Sequence, residues 1–124
     1  MADLLDPTPL IAQITAAISI DPDLDHVTVT DDPTHVGPLA GNGVVYVNAP
    51  TLSFENYDDE IDATWTLDIV QGTAHNLNDA RTRIGKIIAS LHAGAVNIAR
   101  ADPATWRTAQ GNDLPAYTLT LNPL

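Results

Sequence analysis

The chain has no cysteine, and it is poor in basic and aromatic residues. Its 124 residues include five Lys or Arg against 16 Asp or Glu, and aromatic residues make up 5%. The absence of cysteine excludes disulfides and thiolate metal sites. The formal net charge of −11 argues against a phosphate-binding surface, because such surfaces are rich in Lys and Arg.

Long apolar runs are also absent. No segment approaches the roughly 20 apolar residues that a helix needs to span a bilayer. The first residues lack the basic region and apolar run of a secretory signal. We therefore expect a soluble intracellular protein that does not contact a membrane. A chain of this length predicts one domain, residues 1–124, with its own core.

The few basic residues all lie in the last third of the chain. Residues 1–80 contain 14 acids and no Lys or Arg, whereas residues 81–124 contain all five basic residues and two acids. The two parts therefore carry formal charges of −14 and +3. An acidic surface that aids solubility is one interpretation. The other is a molecule with complementary patches that meet head to tail.

The strongest structural pattern begins in residues 61–70. Apolar residues alternate there with polar ones, which predicts a strand with one dry face and one wet face. Trp65 lies on the dry side and is expected in the core. A helical pattern follows to residue 92 or 93, with Gly94 as its C-terminal cap. We expect this helix to pack on the dry face of the sheet.

The remaining segments complete one α+β domain. Residues 9–20 predict a helix whose outer face is uncharged, which suggests partial cover by another subunit or a surface of small residues. Residues 31–42 read as an exposed loop, and residues 44–54 and 61–71 as a hairpin. Further strands are predicted at residues 27–30, 96–101 and 116–122, with a polar segment beginning at Asp102. Trp106, in that segment, is expected either to pack over the sheet or to anchor a partner.

The predicted fold class follows from this order, α-β-β-β-α-β-β. The economical arrangement is a single mixed, mostly antiparallel sheet of four to five strands, with two helices on one face.

No catalytic or metal-binding pattern is present. Asp21, Asp23 and Asp25 resemble the start of a calcium loop, but His26 stands where that loop needs glycine, and Asp32 where it needs glutamate. The four histidines do not have the spacing of a zinc site. Acidic pairs such as Asp58 with Asp59, or Asp62 with Asp68, fall in an exposed turn or on a wet strand face. We therefore predict neither an enzyme nor a cofactor.

A second stripe lies on the predicted helix, opposite its apolar face. Its side chains are small or short and are spaced i, i+4, i+7 and i+11: Asn78, Thr82, Gly85 and Ala89. Small side chains let another backbone approach closely, although ordinary variation on a solvated face is the alternative. With the adjacent Arg83 and Lys86, the stripe is our candidate subunit interface.

The candidate partners of this helix face lie on an adjacent subunit. They form an acidic turn in the predicted hairpin: Asp58, Asp59 and Glu60. Opposite charges on different parts of one chain can be matched around a closed ring, because a ring needs contacts between unlike surfaces.

Taken together, the chain resembles the tail terminator, or tail completion, proteins of long-tailed (siphovirus-type) bacteriophages. The resemblance extends over nearly the whole chain, and the segments that carry it are residues 9–20, 63–72, 78–91, 101–106 and 114–121. It implies a structural virion protein that forms a hexameric ring. Such a ring caps the tail tube, stops tube polymerisation and presents the surface that joins the head.

The resemblance also implies partners and a location. The partners are the tail tube protein and the head–tail connector, and DNA passes through the lumen without specific binding. The location is the head-proximal end of the virion tail, after assembly in the host cytoplasm. The alternatives are another head–tail connector, neck or minor capsid protein, and a small intracellular enzyme or ligand-binding domain. The last would need a concave pocket with convergent polar groups.

Overall fold

The computed structural model describes residues 5–54, 61–72, 77–108, 111 and 113–122, without the side chains of Leu77 and Asn78. Its α-helices are α1 (Thr8–Ile18), α2 (Val36–Leu39) and α3 (Leu77–Ala93). Its short 3₁₀ helices are η1 (Pro22–Leu24), η2 (Pro33–His35) and η3 (Ala40–Asn42). Its strands are β1 (Thr28–Thr30), β2 (Val44–Val47), β3 (Thr51–Ser53), β4 (Asp62–Thr64), β5 (Thr66–Val70), β6 (Ile98–Arg107) and β7 (Asp113–Leu121).

The main sheet has five strands in the order β1-β2-β5-β7-β6. β1 and β2 are parallel, and the other neighbours are antiparallel. β3 and β4 form a separate two-stranded antiparallel sheet. The predicted α+β class, with a mixed and mostly antiparallel sheet, is confirmed.

The predicted hairpin is present, but it is divided into two parts. β2 pairs with β5, from Val44 opposite Val70 to Val47 opposite Leu67. β3 then pairs with β4, and we call these two strands the arm. The division falls at residues 48–50 on one side and at Trp65 on the other. Pro50 suits such a break, because proline cannot donate a ladder hydrogen bond.

The main core lies between the sheet and the helices α1 and α3. From β5 it takes Leu67 and Ile69, which are completely buried. The predicted apolar face of α3 supplies a further group of buried residues: Ala80, Ile84, Ile87 and Leu91. Trp65 is half-buried and packs against this core, so it lies at the core's border and not within it.

A second core covers part of the opposite face of the sheet, where the sequence predicted an exposed loop. Residues 33–42 form η2, α2 and η3, and they bury Val36 and Ala40 against Val44 and Val70. The prediction was wrong because apolar residues in a turn-rich segment can still cover a sheet when the chain folds back over it.

Trp106 is half-buried and packs against this second core, which confirms the interpretation that it packs over the sheet. Its ring meets that of Tyr46 edge to face, with 5.3 Å between centroids and 74° between planes. Such aromatic pairs add about 0.5–1.5 kcal/mol to area burial. Trp106 is therefore not an exposed anchor for a partner.

β6 is longer than predicted and runs through Asp102 and Pro103 to Arg107. A proline is tolerated there because β6 is an edge strand, whose outer row of backbone groups needs no N–H donor. The polar segment expected from Asp102 is therefore a continuous edge strand paired with β7.

Close contact between α1 and α3 explains Gly94 better than a cap does. The residue with positive φ after α3 is Ala95, at 66°. A Cβ at Gly94 would overlap the Ala17 side chain and lie 2.7 Å from the Ala17 Cα. Nearby, the Ser90 hydroxyl donates a 2.6 Å hydrogen bond to the Ala17 carbonyl. Gly94 does occupy the predicted C-cap position, because α3 ends at Ala93 and the Gly94 N–H donates to the Ser90 carbonyl. The reason for glycine there is this close approach and not a left-handed conformation.

This contact predicts that Gly94→Ala destabilises the fold by about 1–3 kcal/mol, because an inserted methyl group must push the helices apart. Gly85→Ala, on the same helix, is the matched control. It meets nothing within 4 Å and should stabilise the monomer by up to about 1 kcal/mol. Urea unfolding of both variants measures the difference, and equal effects of the two changes would contradict this account of Gly94.

Candidate subunit interface

The predicted stripe on α3 lies on the exposed surface of the helix. Thr82, Gly85 and Ala89 are exposed, and a Cβ at Gly85 would meet open space. Asn78 lies in the first turn of α3, but its side chain is outside the described structure. This face therefore has room for the backbone of a partner, as the sequence indicated.

Lys86 has a partner within its own chain. Its Nζ lies 3.6 Å from Oδ2 of Asp23 in η1, and both side chains are at least half exposed. Exposed pairs of this kind contribute about 0–1 kcal/mol. An acid on a neighbouring subunit would have to compete with Asp23, so Lys86 is a weaker candidate than the sequence suggested.

Arg81 and Arg83 are the basic residues without an ion pair among the described residues. Arg81 is exposed, whereas Arg83 is half-buried, and its buried Nε has no hydrogen-bond partner among the residues that the structure describes. Helical periodicity places Arg83 on the same flank as Ser90 and Gly94, the flank that meets α1. The two guanidinium groups therefore lie on different sides of α3.

The proposed acidic partners Asp58, Asp59 and Glu60 lie outside the described residues. The structure does describe the residues at the ends of the two arm strands, on either side of this acidic segment. Phe54 follows β3 and is 68% exposed, and Ile61 precedes β4 and is 38% exposed. A two-stranded sheet is marginally stable alone in water. The exposed apolar residues of the arm are therefore suited to contact with another surface.

The acidic residues 21–32 serve local structure. Oδ1 of Asp21 accepts a 2.9 Å hydrogen bond from the Asp23 N–H at the start of η1. Asp32 caps η2 in the same way, accepting from the hydroxyl and N–H of Thr34, and these two bonds lower the pKa of Asp32. In the described part of the chain, no three His, Asp or Glu residues gather as metal ligands.

A groove of about 450 Å³ opens between α1, η1 and β1. Ile18, Leu24 and Val29 contribute apolar surface to it, and Asp21 and Asp25 contribute carboxylates. Thr15 and Ser19 of α1 also line it, but both hydroxyl groups donate to backbone carbonyls within the helix. The groove is therefore apolar with an acidic wall, and the sequence did not reveal it.

The carboxylates Asp62 and Asp68 are not brought together as an acid–base pair. They are six residues apart on extended chain, a separation of about 20 Å. Asp68 instead accepts hydrogen bonds from the Thr118 hydroxyl at 2.6 Å and the Asn48 amide at 2.9 Å. These bonds link three neighbouring segments across the sheet, which is a structural role for Asp68.

Tyr46 lies opposite Asp68 in the antiparallel pair β2–β5. Burial raises the pKa of the Tyr46 phenol, and the negative charges of Asp68, Asp31 and Asp32 raise it further. This arrangement disfavours tyrosinate, so it does not create a base.

Neither a scan against protein-family models nor a search of curated proteins gives a match. Within the described residues, no helix is long and apolar enough to cross a membrane. We therefore infer the function from the surfaces of this chain and from its resemblance to the tail terminator proteins.

The raised pKa of Tyr46 predicts a pH dependence. A phenol that is harder to ionise in the folded state stabilises the fold below its unfolded pKa, and that contribution is lost as pH rises through the folded pKa. Tyrosinate absorbance should show one tyrosine titrating late, and Tyr46→Phe should remove that phase. Asp68→Asn should lower its midpoint but leave part of the shift, because burial is the largest cause. An unchanged midpoint in Asp68→Asn would exclude the Asp68 contribution.

Proposed function

We propose that this protein is a structural virion protein, a ring-forming tail terminator of a long-tailed bacteriophage. In this role it caps the tail tube, stops tube polymerisation and provides the surface that joins the head. It occupies the head-proximal end of the tail after assembly in the host cytoplasm. The resemblance of the chain to this family, which implies a small α/β protein that forms a hexameric ring, supports the proposal.

The observation that carries the proposal is the division of charge in the folded chain. Five aspartates lie in the segments on either side of β1, the strand at one edge of the main sheet: Asp21, Asp23, Asp25, Asp31 and Asp32. All five basic residues lie on α3 and β6, and β6 is the opposite edge. The acidic edge and the cations of α3 and β6 are therefore unlike surfaces of one subunit, although Lys86, Arg100 and Arg107 also pair with acids of their own chain. Contacts between unlike surfaces close into rings when the rotation permits.

The α3 face remains our candidate contact within the ring. Thr82, Gly85 and Ala89 allow a close approach, and Arg83 can bind a carboxylate from the acidic turn of the next subunit. Lys86 has a smaller share in this contact, because Asp23 already pairs with it. Exposed ion pairs are individually weak, so their effect comes from repetition at every interface of the ring.

A net charge of −11 also suits a passive lumen. Duplex DNA is bound through its phosphates by Lys and Arg, and a basic lumen would retard its passage. We expect no change in the fluorescence anisotropy of labelled duplex at micromolar protein and physiological salt, where even nonspecific binders have a Kd of about 10⁻⁴–10⁻⁶ M. A single-stranded oligonucleotide is the control for binding at the ends of the duplex. Tight duplex binding would contradict the passive lumen.

The ring itself is tested with purified protein, alone and with tail tube subunits. Analytical ultracentrifugation gives the mass, and negative-stain images show particle symmetry. We expect six-fold rings, free or at tube ends, and shorter tubes when the protein is present during polymerisation. A protein that stays monomeric in both conditions and leaves tube length unchanged would exclude the proposal. Rings that bind a head–tail connector but not tubes would favour the alternative neck protein.

A further inference from the structure

The helical layer of this fold is too narrow for its sheet. Helices pack about 10 Å apart and strands about 4.8 Å apart, so two helices cover about four strands. α1 contacts β1, and α3 contacts β5 and β7. On the fifth strand, β6, Ile98 still packs against the main core, but the rest of the helix side of the strand is exposed.

The register of β6 with β7 identifies the residues on the uncovered side of β6. Ala101 lies opposite Leu119 and Pro103 opposite Tyr117, and both β7 residues pack in the main core. Ala101, Pro103 and Thr105 therefore face the helix side, yet all three are exposed. We call these three residues the bare strip. It carries no charge, and the half-buried Tyr117 borders it.

One flank of α3 stands beside the bare strip. Ser90 and Gly94 mark the flank that meets α1. Helical periodicity places Arg81, Gly85 and Ile88 on the opposite flank, towards β6. This flank and the bare strip form an open corner whose floor consists of uncharged side chains. Its border includes Arg81, which has no ion pair within the described part of the chain.

The opposite edge of the molecule presents a complementary flank of α1. Ile11, Thr15 and Ser19 follow i, i+4 and i+8 and face away from α3, because Gln13 and Ala17 on the other side contact the end of α3. The three residues are exposed or half-exposed and uncharged. The groove beneath them brings Asp21 and Asp25 to the same edge.

We propose that the α1 flank of one copy of this chain packs on the bare strip of a second copy, next to the second copy's α3. The proposal rests on the ring proposed above, and it places the subunit contact on the α1 flank and the bare strip in place of the outer face of α3. A second copy is the occupant because one chain carries both surfaces. Both are uncharged where they meet, and their borders have opposite charge: Asp21 and Asp25 beside α1, Arg81 beside the bare strip.

The contact runs through the helical layer and not through the sheet edges. Pro103 interrupts the outer row of hydrogen-bonding groups on β6, since proline has no N–H. At the other edge, β1 has only three residues that could pair with a strand of a neighbouring copy. Strand addition is therefore poor at this junction, whereas a helix above β6 continues the helical layer from subunit to subunit. This contact joins unlike surfaces and so allows a closed ring.

Cysteine cross-linking tests this arrangement directly, because the chain has no cysteine of its own. In the Thr15→Cys/Thr105→Cys double variant, a short bismaleimide should link neighbouring copies into a ladder that ends at the full oligomer. Thr15→Cys/Asn42→Cys is the matched control. Asn42 is exposed in η3, on the other side of the sheet, and should give no ladder. Tube subunits are added if the protein assembles only on tubes.

A charge variant supplies the second measurement. Thr105→Glu places a carboxylate in the uncharged contact and should raise the concentration for half-assembly by about tenfold or more. Asn42→Glu adds the same charge elsewhere and should leave assembly unchanged. Circular dichroism confirms that both variants fold.

The outcomes separate this inference from the proposed function. Rings that form without a Thr15–Thr105 ladder and tolerate Thr105→Glu would overturn the inference and leave the ring intact. In that case Ala89→Glu tests the outer face of α3 as the interface. Wild-type protein that stays monomeric with and without tubes would overturn both.

Discussion

The fold depends on the burial of β5 on both of its faces. Leu67 and Ile69 contact the helical layer, and Val70 contacts the segment that contains α2. β5 is also the middle strand of the sheet, so its backbone pairs with β2 on one side and β7 on the other. A chain with few aromatic residues thus obtains its stability from completely buried aliphatic side chains, each worth about 1.5–3 kcal/mol.

The local sequence pattern is enough to predict β5, α3 and the hairpin, because the alternation or periodicity that defines each lies within one short segment. It was not enough where the outcome depends on distant segments. Whether residues 33–42 are exposed or cover the sheet depends on their contacts with Val44 and Val70. The sequence of the segment itself does not indicate these contacts. Pro103 looked like the end of a strand, because sequence does not reveal that β6 is at an edge.

The candidate interface, too, is predictable only where it depends on local pattern. The small outer face of α3 follows from helical spacing, and its exposure agrees with that prediction. The pairing of Lys86 with Asp23 joins residues that are 63 positions apart, so no local sequence pattern predicts it. The bare strip arises from a mismatch in width between helices and sheet, and the groove arises where α1, η1 and β1 meet. Both are properties of the assembled layers and not of any one segment.

The position of β7 has a consequence for how the fold is reached. β7 is the last strand in this sequence, yet it lies inside the sheet and joins β5 to β6. The β2–β5 and β6–β7 hairpins pair segments close in sequence, whereas β5 and β7 are separated by α3 and β6. Long-range pairings of this kind are slow, because the loop must close before they form. During synthesis, the sheet therefore stays in separate parts until residues 113–121 emerge, and only then does the domain become cooperative.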